Sequence, residues 1–403
     1  MSLTVHTVHE PDQLREFATV HATAFGYHWE DEKLDRLMVP FLRRVNCVAA
    51  FDGGEMIGVS VDQPFQMTVP GARAVPMRGL TWAGVLPTHR RRGALRAMFD
   101  RQHADMREQG LPVSGLFAAA TDIYHRFGYG PATLTVAEAE VDSTHGAFAA
   151  PFQDPGSIEL LRDPSPVSVV REVLERSRLQ IPGELDRSDA DIAEMFTAAE
   201  HDEFRIAHRA AGGGFDGFDG FASYRVKSEW THEVLPQGQV QVQALLTAAP
   251  EAAAAIWRYL LDVELTTSVQ IYNRPLDDPI RWLLAEWRYH HVKQIADGLW
   301  LSLLDAPAAL EARRYPADGE LVLELAGAAL LLEVRDGEAT CGPTGRPGEI
   351  ALDAPALASA FLGGYRFTAL REAMRVRELV PGACVRADSM FRAEREPWCS
   401  FEF

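Results

Sequence analysis

Apolar residues recur at helical spacing over residues 11–25, through Leu14, Phe17, Ala18, His21 and Phe25, and predict an amphipathic helix. A second helix is read over 34–43. Apolar-rich runs at 47–51, 56–69 and 74–85 predict strands, with Asp52-Gly53-Gly54 as a hairpin signal between the first two. Leu95, Met98, Phe99 and Met106 return to the helical period and predict a helix over 94–109, closed by Gly110. A strand at 111–120, a short helix holding Tyr124 and a strand at 133–141 complete an α/β unit within residues 1–147.

Prolines punctuate the next stretch of chain, at Asp154-Pro155 and again before Pro166. Residues 148–292 then repeat the same order in degenerate form, with strands at 220–227 and 240–247, a helix at 251–261 and a strand at 268–272. The turn before that helix, Ala248-Ala249-Pro250, has no arginine and no glycine, so it lacks the means to hold a phosphate. An unrelated α/β domain is the alternative reading of this stretch. Residues 293–403 change character. Strands are read at 298–304, 320–326, 329–335 and 338–341, and helices at 306–313, 354–362 and 369–375, an α+β layer.

At 403 residues, two or three domains are expected. The formal net charge of −18 disfavours nucleic acid and anionic membrane as partners, and suits a small cationic substrate. The four cysteines (Cys47, Cys341, Cys384, Cys399) form no C-x-x-C pair and read as reduced, buried thiols. The start of the chain has no basic and apolar leader, and no stretch approaches ~18 uninterrupted apolar residues. A cytoplasmic protein is expected. Adjacent His290 and His291 do not share a strand or helix face, so no metal site is read there.

The candidate chemistry begins at Arg90-Arg91-Arg92-Gly93, which opens the helix over 94–109. Free N–H groups at a helix start, the helix dipole and three guanidinium groups form a site for a phosphate or pyrophosphate. A solvated basic face is the bland alternative. There is no G-x-S-x-G motif and no cysteine with a basic partner nearby, so a covalent nucleophile is not expected.

Strand, arginine turn, helix and strand together resemble the acyl-CoA site of the GNAT superfamily of N-acetyltransferases, with the signature Gln/Arg-x-x-Gly-x-Gly/Ala. Arg90 and Gly93 match it, and Leu95 stands where Gly or Ala is usual. Pro87-Thr-His-Arg-Arg-Arg-Gly93, followed by Ile123-Tyr-His-Arg-Phe-Gly-Tyr-Gly-Pro-Ala-Thr133, closely resembles the Eis (enhanced intracellular survival) acetyltransferases. The resemblance continues through Asp305-Ala-Pro-Ala-Ala-Leu-Glu-Ala-Arg-Arg-Tyr315 to the C-terminus. It implies two tandem GNAT folds, at 1–147 and 148–292, then a domain over 293–403 resembling sterol carrier proteins. The second fold, its cofactor site lost, is expected to wall the substrate pocket.

The resemblance further implies acetyl-CoA as cosubstrate, no metal, and direct transfer to amines of aminoglycoside-like cations by a homohexamer. Ala83, Gly84 and Val85 would pair with pantetheine amides, Gly84 at a splay or bulge. Arg90, Arg91, Arg92, Gly93, Ala94, Leu95 and Arg96 would hold the pyrophosphate, and Ala119 and Ala120 would border the thioester. Tyr124 would protonate the departing thiolate, with Tyr129 as its competitor. The α-carboxylate of Phe403 would be the base. The apolar tail Trp398-Cys-Ser-Phe-Glu-Phe403 is expected to dock, and burial raises a carboxyl pKa. Asp122 departs from the family's small residues. Phe25, Trp82 and Glu402 are the expected substrate contacts. Acetylation of protein lysines or polyamines, or a lipid-binding scaffold with vestigial acetyl-CoA binding, are the alternatives.

Overall fold

The structure is a computed structural model that describes residues 3–197, 203–211 and 217–403. Its described strands form three sheets. The first is built from β1 (Leu3–Thr7), β2 (Asn46–Asp52), β3 (Glu55–Val69), β4 (Arg73–Val85) and β5 (Val113–Phe117) in that order, then Leu299–Leu303 and Gly130–Pro131. β3 and β4 make a long antiparallel hairpin, whereas β4 and β5 run parallel and need a crossover, the helix Ala94–Glu108. Helix Pro11–Phe25 buries Leu14, Phe17, Ala18 and His21, the face its spacing marks out.

Two strands depart from the sequence reading. The strand at Leu134–Asp142, taken to complete the first unit, instead pairs antiparallel with Thr266–Arg274 and His290–Asp297 in the second sheet. Leu299–Leu303, taken to start the third unit, closes the first sheet against β5. The two α/β layers thus exchange a strand each. Leu299, Trp300 and Leu301 are all buried, as expected of a strand covered on both faces. Nothing in that local pattern names a pairing partner nearly two hundred positions away.

The second sheet contains the parallel pair Gly238–Thr247 and Thr266–Arg274, backed by helix Pro250–Leu261 with Trp257 at its core. In the third, Glu338–Pro343, Ala328–Arg335, Gly319–Leu325, Ile350–Leu352 and Val376–Glu378 lie side by side. The last two strands and the helix Ala383–Phe391 go beyond the sequence reading. One apolar cluster runs from this sheet into the first. It joins Phe65, Met77 and Leu299 to Leu310, Phe361 and Phe391, so the third domain covers one face of the first sheet. No helix among the described residues is long and apolar enough to cross a membrane.

Arg313 is wholly buried in that cluster. Its guanidinium donates to the carbonyl of Phe361 and, at 2.7 Å, to that of Phe391, the last residues of helices Ala354–Phe361 and Ala383–Phe391. Two helix C-termini, each carrying negative partial charge, thereby share one cation. Burial lowers the pKa to about 10, which still leaves the group charged at neutral pH. Arg313→Met retains much of the bulk but strands both carbonyls. A loss of about 3 kcal/mol is expected, read as a lower urea midpoint by tryptophan fluorescence. An unchanged midpoint would mean that the helix ends are satisfied without Arg313.

Candidate active site

The site starts at a fork. β4 and β5 pair only from Met77 with Val113 to Leu80 with Leu116, and then separate. β4 continues to Val85 with no strand partner on that side among the described residues. Backbone groups over 81–85 that point away from β3, apart from the Val85 carbonyl, are therefore open to pair with an extended ligand, as at any open strand edge. The register of β3 against β4 shifts between Val59 and Val61, which places a bulge at Trp82, whose φ is +54°.

Gly84, expected at a splay or bulge, lies in the splayed part of β4, just beyond the bulge. A Cβ there would sit 2.9 Å from the Cβ of Ala24, so close approach of the first helix is what requires glycine. Phe25, at the end of that helix, is half-exposed beside Gly84.

The arginine turn follows directly. Arg91 and Gly93 both take left-handed φ, +62° and +91°, and curl the backbone ahead of helix Ala94–Glu108. Alternating handedness of this kind points successive N–H groups into one concavity, an anion nest. Arg91 and Arg92 are exposed at it. Arg90 is committed elsewhere, donating to the carbonyls of Val85 at 3.3 Å and Ala24 at 2.8 Å, and so ties the turn to β4 and the first helix. Ala94 is buried, Leu95 packs into the apolar clusters beside it, and Arg96 lies over the Phe127 ring. Free amides along 81–85 and a nest one turn away fit the pantetheine and the pyrophosphate of an acyl-CoA.

Side chains alternate along β4, so the fork has two distinct faces. Leu80 packs with Leu116, Phe99 and Tyr124 on the face of the arginine-turn helix, where Ala83 and Leu95 join the same cluster. Ala120 caps the short helix Thr121–Tyr124, and exposed Ala119 precedes it. Burial raises the Tyr124 pKa, so the phenol keeps its proton at neutral pH. Its hydroxyl makes no hydrogen bond among the described residues. Tyr129 is different. Its fully buried hydroxyl bonds to His103 Nε2 at 2.9 Å and Ser114 Oγ at 2.7 Å, a network within the core.

Phe403 occupies the opposite face. Its ring packs against Phe65 and Phe117, with centroids 4.8 and 5.2 Å away. The Thr81 hydroxyl donates to its carboxylate at 3.0 Å. The tail reaches this place along the second domain. Trp398 Nε1 donates to Asn273 Oδ1 at 3.0 Å, and Trp398 N to the Pro182 carbonyl at 2.9 Å. Both the N–H and the hydroxyl of Ser400 donate to the buried Glu184 carboxylate at 3.1 Å. The segment carrying Glu184 is itself laid along β3, with Gly183 N on Thr68 O and Thr68 N on Glu184 O, both at 2.8 Å.

A cleft of about 280 Å³ opens beside Phe403. Trp82 and Glu402 line it with Phe41, Phe65 and Phe401, and Phe25 is not among its lining residues. Trp82 is held by His21, stacked at 4.2 Å. The far wall comes from Arg187, Asp191, Glu194 and Met195 of the second domain, none of which the sequence reading singled out. Arg44 meets Asp191 at 3.9 Å and Glu194 at 3.3 Å, and offsets part of their charge.

The second domain has a matching fork, where Gly238–Thr247 and Thr266–Arg274 part company; side chains enter it and leave a cavity of about 220 Å³. Arg274 donates to the Leu245 carbonyl and lies over the Trp398 ring. At the turn, Pro250 supplies no N–H and Glu251 adds negative charge. Such a turn repels a phosphate.

Comparison with known proteins agrees with this architecture. Models of an acetyltransferase (GNAT) domain match residues 7–132 and 183–300, and a sterol carrier protein domain model matches 306–400. The N-acetyltransferase Eis of Mycobacterium tuberculosis is 35% identical over 365 residues, covering 87% of each chain. An N-acetyltransferase of Streptomyces griseus, itself uncharacterized, is 32% identical over 421 residues, covering 99% of each. The crystal structure of Eis1 from Mycobacterium abscessus superposes with a TM-score of 0.87 at 29% identity, covering 99% of this chain and all of that one. A GCN5-related N-acetyltransferase from Anabaena variabilis, at 19% identity, shares the fold with a TM-score of 0.83. GNAT domains imply the use of acetyl-CoA. The chain belongs to the Eis family and is an N-acetyltransferase.

Proposed function

We propose that the enzyme moves an acetyl group directly from acetyl-CoA to an amine of an aminoglycoside-like cation. Tyr124 acts as general acid and the Phe403 carboxylate as general base. The observation that carries this reading is the fork, with the Tyr124 phenol on one face of it and the Phe403 carboxylate on the other. Acetyl-CoA supplies the activated acetyl group. The amine must give up a proton, the departing thiolate must receive one, and both reactants must be held in line. A carboxylate held by Thr81 can accept the first proton. A phenol whose pKa is raised by burial carries the second. Asp191, Glu194 and Glu402 outnumber Arg44 and Arg187 at the cleft, and together with its aromatic rings they favour a cationic substrate over an anionic one.

The test is thiol release from acetyl-CoA with kanamycin, with a lysine peptide and with no acceptor. Release is expected with kanamycin. Release with the peptide alone would move the substrate class to protein lysines, and none with either would overturn the reading. Gly93→Asp belongs in the same experiment. A Cβ at Gly93 meets nothing within 4 Å, and aspartate tolerates left-handed φ better than most residues. The fold should therefore survive while a carboxylate enters the nest. CoA affinity by calorimetry is expected to fall at least about tenfold, or ~1.4 kcal/mol. Unchanged affinity would place the pyrophosphate elsewhere.

A further inference from the structure

Gly79 is buried in the middle of β4, paired with Gln63 on one side and Gly115 on the other. Glycine weakens a strand interior, and this one does not adopt a left-handed φ that would require it. Space explains it. A Cβ on Gly79 would lie 2.6 Å from Cζ of Phe403, nearer still to Cε2, and 2.7 Å from Cε2 of Phe65. Thr81, two residues on and on the same face, holds the Phe403 carboxylate. One residue thus grips β4 at both ends of an i, i+2 step, its ring over Gly79 and its carboxylate at Thr81. Upstream, the Glu184 clamp on Ser400 leaves only three residues of slack.

We propose that Gly79 is the positioning residue for the terminal carboxylate: its missing side chain is the slot that seats the Phe403 ring, and the depth of that seat fixes where the carboxylate stands. The inference rests on the reading of Phe403 as base. A methyl group on Gly79 lifts the ring by roughly 1 Å and the carboxylate with it, and displacements of that size cost about 10²-fold in rate.

The test compares Gly79→Ala, Phe403→Trp and the double variant Gly79→Ala/Phe403→Leu, measuring kcat, KM for the amine and acetyl-CoA affinity by calorimetry. Gly79→Ala is expected to lose at least about tenfold in kcat with acetyl-CoA affinity unchanged. Phe403→Trp, which overfills the slot from the tail and leaves β4 intact, should lose kcat in the same way. Leucine keeps the α-carboxylate and vacates ring volume, so the double variant should recover much of the rate. Wild-type kcat in Gly79→Ala or in Phe403→Trp overturns the proposal, as does a double variant no better than the single one. A wild-type protein amidated at Phe403 separates the two ideas. Full activity there removes the base itself, whereas an inactive amide beside a fully active Gly79→Ala removes only the slot.

Discussion

Converting the Phe403 carboxylate to an amide is expected to lower acetyl transfer by at least about 10²-fold, the range for a positioned proton acceptor. A peptide fused to the C-terminus makes this change, because it turns the carboxylate into a neutral carbonyl and moves the charge several residues away. The same peptide on the N-terminus leaves the site alone. The tail should still dock in both forms. Its anchors are the Trp398 indole on Asn273, the Ser400 bonds to Glu184 and the Phe403 ring against Phe65 and Phe117, and an amide disturbs none of them. Even the Thr81 bond survives, since an amide carbonyl also accepts. Comparable melting with unequal turnover is therefore the signature of a lost base. Deleting Phe403 should also cripple turnover. The new carboxylate on Glu402 lies about 3.5 Å short, and the ring that seats the tail is gone. Full activity in the C-terminally extended form would put the base elsewhere, and Asp122 or Glu402 would be the next groups to test.

What the chain revealed beforehand was local. The order of strand, arginine turn, helix and strand follows from residues next to one another, and helix Ala94–Glu108 begins at its N-cap Gly93 and ends within a residue of its expected limit. The apolar tail is legible for a similar reason, since Trp398, Phe401 and Phe403 together disfavour water. What escaped depends on distant partners. Gly79 looks like a weak point in a strand until Phe403, more than three hundred positions away, is placed over it. Nothing in the local sequence marks Glu184 or Arg313 as buried, yet both are, satisfied by backbone or hydroxyl groups that only the tertiary fold supplies. The exchange of Leu134–Asp142 and Leu299–Leu303 between sheets is hidden because alternation records which face is buried, not which strand lies alongside. At Gly84 the expected splay is present, since β4 has left β5 by that point, but the bulge sits at Trp82, and the close approach of Ala24 is a reason for glycine that only the fold reveals.

Removing the phenolic oxygen of Tyr124 should separate catalysis from stability most cleanly. The hydroxyl has no partner among the described residues, so Tyr124→Phe breaks no hydrogen bond within them. The ring contacts with Phe99 and Tyr129, at 6.2 and 6.5 Å between centroids, remain. Stability is expected to move by no more than about 0.5 kcal/mol. Turnover should fall about 10²-fold or more, with acetyl-CoA KM little changed, because the backbone edge of β4 and the arginine turn are intact. Tyr129→Phe should do the reverse. That hydroxyl bridges His103 and Ser114 inside the core, and removing it leaves both without their shared partner, at a cost of about 1–3 kcal/mol. Tyr129 lies below the fork, so turnover of the folded variant should stay near wild type. Paired melting and steady-state measurements on the two variants decide the assignment. If Tyr124→Phe works at full rate while Tyr129→Phe does not, the proton reaches the thiolate from Tyr129 through the core network. If both work at full rate, water delivers it.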